Sequence, residues 1–148
     1  MTHPLALVAD GEVVVNDWQT LSDSAEVPQH GKLIVSLDRW QSEVETLSKR
    51  TDPVGILLPN IATVHSLDPA ILERPLLVLD FPGFADGRAY SQSQQLRLNG
   101  YAGDLRATGK AVVLDQIRLM HRCGISSFEL RPDQDASACV SVLSQLTQ

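Results

Sequence analysis

Apolar positions along this chain change period several times, and each change marks a predicted element. Leu5 to Ala9 and Glu12 to Val15 are short β-type runs joined by Asp10-Gly11, a pair that supplies the positive φ angles of a two-residue hairpin. From Gln19 to Gly31 the chain is polar and carries Pro28, which suits a surface connection, and Lys32 to Ser36 follows as a third short strand. Residues 1–36 therefore read as a β appendage. Asp38 offers N-cap chemistry, and Trp40, Val44 and Leu47 recur at helical spacing, so one helix is predicted over Arg39 to Lys49.

After that helix the pattern becomes regular. Val54 to Leu58, Leu76 to Leu79, Asp104 to Ala107 and Ser127 to Leu130 are short apolar or β-type runs, each followed by a helical stretch. Pro69 breaks the first of these, Asn60 to Glu73, into one or two short pieces. The second opens with Ser91 and Gln94 spaced as a capping box and stops at Gly100. The third runs over Ala111 to Arg122 and ends at Gly124, and the last covers Ala136 to Leu146. The predicted class is α/β: an N-terminal β-hairpin, then about four βα units over residues 37–148, with a mostly parallel sheet in one domain. The sheet is either open and layered or curled into a half-barrel whose edges pair with a second copy, so a homodimer is expected.

Composition narrows the class of protein. With 148 residues, 43% hydrophobic and 20% charged, the chain can bury a sizeable core as one domain. A formal charge of -6 argues against nucleic acid or an anionic membrane as partner. The beginning of the chain has no basic region ahead of an apolar run, and no window approaches the roughly 18 apolar residues of a span, so a cytoplasmic location is expected. Cys123 and Cys139 are too far apart for a C-x-x-C pair and sit among apolar neighbours, as buried structural thiols do.

Candidate chemistry gathers in Asp80 to Ser91, DFPGFADGRAYS, a strand-to-helix loop of the kind that carries ligand sites in βα proteins. Arg88, beside a helix start, has the fork geometry for an oxyanion, with Asp86 and Tyr90 next to it. The plainer alternative ties Arg88 to Asp80 or Asp86. Arg106 alternates with Leu105 and Ala107 and so points to the other face, where it either joins Arg88 around an anion or pairs with an acid such as Glu129. Asp115 is a weak candidate for acid-base work against an ion-pair role with Arg118 or Arg122, and Asp86 is the other weak catalytic candidate. No dinucleotide, P-loop, zinc-protease or nucleophile-elbow motif occurs, so no cofactor is identifiable. His3, His30, His65 and His121 are scattered, and no metal site is expected.

The sequences FPGFADGRAYS, LRATG, LDQIRLMHRCG and SFEL resemble, in order, the core of the domain-of-unknown-function family 934. The family pattern falls on Phe84, Asp86, Gly87, Arg88, Tyr90 and Ser91, on Leu105, Arg106, Ala107 and Gly109, and on Asp115, Gln116, Arg122, Cys123, Gly124 and Phe128. Where many relatives have Gly-Asp-Val after the arginine strand, this chain has Gly109-Lys110-Ala111. Members are often labelled probable oxidoreductases, and their genes tend to lie beside those of assimilatory sulfite reduction. That association, taken with the polar cluster, leads to the expectation of an accessory protein of sulfite reduction that binds a small oxyanion or a sulfite reductase subunit through Asp86, Arg88, Tyr90 and Arg106. The alternatives are a small oxidoreductase-type or acid-base enzyme of sulfur metabolism and a purely structural partner module.

Overall fold

A computed structural model describes residues 5–146. His3 and the first residues of the chain lie outside the described residues. Eight strands form one sheet: β1 (Leu7–Ala9), β2 (Glu12–Val14), β3 (Trp18–Thr20), β4 (Lys32–Ser36), β5 (Val54–Leu58), β6 (Leu76–Asp80), β7 (Asp104–Thr108) and β8 (Ser127–Glu129). Their spatial order is β2-β1-β8-β7-β6-β5-β4-β3, parallel from β3 through β8 and antiparallel only where β1 joins β8 and β2.

Adjacency of the sequential strands β3 to β8, with right-handed crossovers, puts every connecting helix on the same face. That face carries Leu33 and Val35, Ile56 and Leu58, Leu77 and Leu79, Leu105 and Ala107, and Phe128, all part of the main core. The other face holds a small cluster of Ile34, Leu76 and Val78, flanked by Trp18 and Leu57. Between β2 at one edge and β3 at the other lie only residues 15–17. Four Cα steps reach about 15 Å, whereas a flat sheet of this width would separate its edges by roughly 34 Å. The sheet must curl, and of the two predicted architectures the half-barrel is the one found.

The hairpin forms as expected, with Asp10 and Gly11 at φ of 54° and 74°. Residues 1–36 do not stand apart as an appendage, however, because β1 pairs with β8 and β3 with β4 inside the common sheet. Trp18–Thr20 is a strand that the polar Gln19 to Gly31 reading missed. The helix expected over Arg39 to Lys49 is two short ones, α1 (Leu37–Ser42) and α2 (Val44–Ser48), and its cap is Ser36, whose Oγ accepts from the Arg39 N–H, instead of Asp38. Pro69 has the predicted effect, leaving two 3-10 turns at Val64–Ser66 and Pro69–Glu73. Three longer helices follow among the described residues: α3 (Arg88–Leu98), α4 (Leu114–Arg122) and α5 (Ala136–Leu146). Both cysteines are free and buried, and burial pushes the Cys139 thiol up to about 11. No helix among the described residues is long and apolar enough to cross a membrane.

Candidate functional site

Ser36, Leu58, Asp80 and Thr108 are the last residues of β4, β5, β6 and β7, and the parallel direction of these strands brings them to one rim. They border an open cavity of about 420 Å3. Its polar lining is Ser36, Asp38, Asp80 and Thr108, and its apolar wall is Leu37, Leu57, Leu58 and Pro59. A larger cavity of about 540 Å3 lies beyond the other ends of the strands, between the Asp10-Gly11 turn and the loop from α4 to β8. Ser126 there is spent on Asp104 and Leu105, leaving Asp10 and His121 as its ionisable lining, whereas the strand-end cavity lies where parallel βα sheets place ligands.

Asp80 is the central group of this rim. No hydrogen bond or ion pair from the described residues reaches its half-buried carboxylate. Burial, and then the nearby Asp86 charge, push its pKa above the ordinary aspartate value. The loop from β7 fits against it only because residue 109 is glycine: Gly109 has φ of +114°, and a Cβ there would stand 2.8 Å from Asp80 Oδ1.

The raised pKa has a definite sign in the stability of the fold. Since the folded-state value exceeds the unfolded one, ionised Asp80 destabilises at neutral pH, and that cost is relieved as pH falls through the raised value. Asp80→Asn should therefore unfold at higher urea concentration than the parent at pH 7, with the gap closing toward pH 3. Because water reaches the carboxylate, the gain is expected to stay below about 1 kcal/mol. A parent more stable than the variant at pH 7 would contradict the unpaired state of this group.

The residues singled out in the sequence are placed differently. Arg88 grips Asp86, with Nε and Nη2 donating to Oδ1 and Oδ2 at 3.0 and 2.7 Å. Asn60 donates to Asp86 Oδ2 as well, and the Arg88 bonds foremost hold the Asp86 carboxyl down at about 2, a poor proton acceptor at neutral pH. The plainer alternative for Arg88 thus describes its contacts, although its side chain is 58% exposed. Asp86 Oδ1 also accepts from the Arg88 N–H, so α3 begins at Arg88, a turn earlier than expected. The predicted Ser91 and Gln94 capping box is not formed, and Ser91 lies inside the helix.

Tyr90 packs edge-on against Phe81 and donates to Gln116 Oε1 at 2.7 Å, fastening α3 to α4. Asp115 is exposed on the first turn of α4 and makes none of the predicted ion pairs, since Arg118 turns to Gln145 instead. Arg106 points to the concave face, opposite Leu105 and Ala107, as its alternation predicts. It meets neither Arg88 nor Glu129. Its side chain is 4% exposed, and the guanidinium bonds Ser127 Oγ at 3.1 Å and Asp104 Oδ2 at 3.4 Å, while Glu129 accepts from the Thr108 hydroxyl. Lys110 is exposed, four residues ahead of α4, so its departure from the family pattern does not touch that helix's first turn. Among the described residues no group of three or more His, Cys, Asp or Glu is placed to hold a metal ion.

The family model described as bacterial protein of unknown function (DUF934) matches residues 55–148, from within β5 to the end of the chain. That span contains Asp80, Asp86, Arg88, Arg106 and Thr108 but not Ser36 or Asp38. No curated protein and no solved structure matches the chain.

Proposed function

We propose that this chain, which belongs to the DUF934 family of bacterial proteins, is an accessory binding protein of assimilatory sulfite reduction that meets a reductase subunit with its strand-end rim. The observation that supports binding at the rim is the cavity around Asp80, a carboxylate with no hydrogen-bond or ion-pair partner among the described residues. Unspent charge next to an apolar wall is a costly arrangement for stability alone and suits a surface completed by another molecule. The pathway comes from the gene neighbourhood implied by the resemblance.

Two measurements test this reading. A deletion strain of the host supplied with sulfate, sulfite, sulfide or cysteine as sole sulfur source should grow on sulfide and cysteine and fail on sulfate and sulfite. Equal growth on all four removes the pathway. Calorimetry of the purified chain with sulfite reductase should give saturable heat that Arg88→Ala weakens, and its absence removes the partner.

A second reading is favoured by one observation: the raised pKa of Asp80 in a cavity suits acid-base catalysis better than the lowered value of Asp86. If the protein is an enzyme, Asp80 takes the catalytic place first given to Asp86 or Asp115. A small oxyanion remains a weaker fit, since Arg88 would have to exchange Asp86 for it; sulfite heat lost in Arg88→Ala would favour it. The homodimer would, on this reading, pair through the edge of β2, where Val13 and Val15 are exposed.

A further inference from the structure

We propose that the rim cavity is a recognition pocket for an alkylammonium or guanidinium group, which sets its charge against Asp80 and its carbon chain along Leu37, Leu57 and Pro59. The proposal rests on the rim being the binding surface and adds the chemistry it selects. Proton accounting carries it. The Ser36 hydroxyl gives its proton to Asp23 at 2.7 Å and the Thr108 hydroxyl gives its own to Glu129 at 3.1 Å, so both turn lone pairs, not protons, toward other neighbours. Asp80 and Asp38 are acceptors when ionised. No lining side chain therefore has a proton to offer, and a ligand that brings its own donors matches these side chains.

Among the described residues the nearby cations do not fill this role. Arg39 is turned to Glu43 and the Ser22 carbonyl, and Arg88 to Asp86. Lys110, one residue past the glycine that touches Asp80, makes no ion pair among the described residues. The volume, about 420 Å3, falls in the range of small-ligand sites, roughly 300–1,000 Å3. An incoming cation would also relieve the burial cost that the ionised Asp80 bears in the free protein. The carboxylates of Asp80 and Asp38 disfavour sulfite or sulfate in this cavity by like-charge repulsion.

Agmatine, with an ammonium at one end and a guanidinium at the other, is the probe for the full-length chain. Carboxyl-labelled protein followed by NMR should show the Asp80 resonance shift saturably with agmatine, its apparent pKa falling, with backbone shifts gathered at Leu57, Leu58 and Thr108. Asp80→Asn should lose at least about tenfold in affinity, the size expected for one charge-assisted contact. That variant is expected to fold at least as well as the parent, so loss of binding is not loss of structure. Unmoved rim resonances, or equal binding by the variant, would overturn the proposal.

Two sources of the cation are separated by a competition arm. Agmatine that displaces purified sulfite reductase assigns the group to a basic side chain of that partner, and agmatine that binds without displacing it assigns the group to a free amine. Reductase binding equally to parent and Asp80→Asn, with agmatine binding neither, would sink the cation pocket while leaving the accessory role in place.

Discussion

Gly109→Ala should cost the fold at least about 3 kcal/mol, the sum of backbone strain of order 1–3 kcal/mol and a steric conflict that nothing nearby can relieve. At φ of +114° an alanine is strained wherever it points, and its Cβ would stand 2.5 Å from the Phe81 carbonyl oxygen. That oxygen is fixed, because it accepts from the Ala111 N–H at 3.0 Å while the Phe81 N–H donates to Thr108 O at 2.8 Å. Both sides of the contact are backbone held by hydrogen bonds, so relief requires the β7 loop to lift from the end of β6. For a chain of this length the midpoint of thermal unfolding should fall by roughly 10 °C. Gly83→Ala is the matched control: its Cβ would meet nothing within 4 Å, and it should be close to neutral. A loss below about 1 kcal/mol in Gly109→Ala would mean that the loop does not hold Asp80 as described. Since the added methyl also crowds Asp80 Oδ1, agmatine binding should weaken in any fraction that remains folded.

The parts of this fold that were legible in the sequence are those whose burial is two-sided. β5 and β6 lie between the helical layer and the concave cluster, so they read as apolar runs, VGILL and LLVL, the second closed by Asp80. β3 is a three-residue edge strand with exposed Gln19 and Thr20, and nothing in its composition separates it from a loop. Missing it had a further consequence. Only with β3 at one edge and β2 at the other do residues 15–17 become a short tether that forces the curl, so the open sheet and the half-barrel stayed undecided.

Local chemistry was legible where the partner is close in sequence and illegible where it is not. The Asp86 to Arg88 pair spans two residues, and the local sequence suggests it. Tyr90 to Gln116 spans 26 residues, and no periodicity announces it. The misplaced start of α3 has a similar cause: a Ser-x-x-Gln spacing suggested the cap, but the Asp86 carboxylate takes the Arg88 N–H first and turns the chain into the helix there. Asp80 did leave a signal, an acid closing a wholly apolar strand of a βα unit, which is where such proteins place polar groups for ligands. It was read as a partner for Arg88 because the nearer Asp86 could not be ranked above it from sequence.

Arg106→Ala should destabilise by about 2–4 kcal/mol, whereas Arg106→Met should cost less than about 1 kcal/mol or stabilise. The two differ because the stem of this side chain packs on the concave face while its charge is poorly served there. Nη1 is buried without a hydrogen-bond partner, a state that costs about 1–3 kcal/mol. Removing the guanidinium strands little: Ser127 Oγ keeps its bond to Asp104 Oδ1 at 2.8 Å, and the Asp104 side chain is 34% exposed, so water reaches it. Methionine replaces the stem and omits the orphaned donor; alanine leaves a void between β7 and its neighbours. Urea unfolding of both variants at pH 7 decides the matter, and a methionine variant as weak as the alanine one would show that the guanidinium bonds themselves hold the curl. The methionine variant then separates fold from function. With the structure kept, unchanged binding of agmatine and of reductase would confine Arg106 to the architecture of the concave face, and a selective loss of reductase binding would return it to the interface.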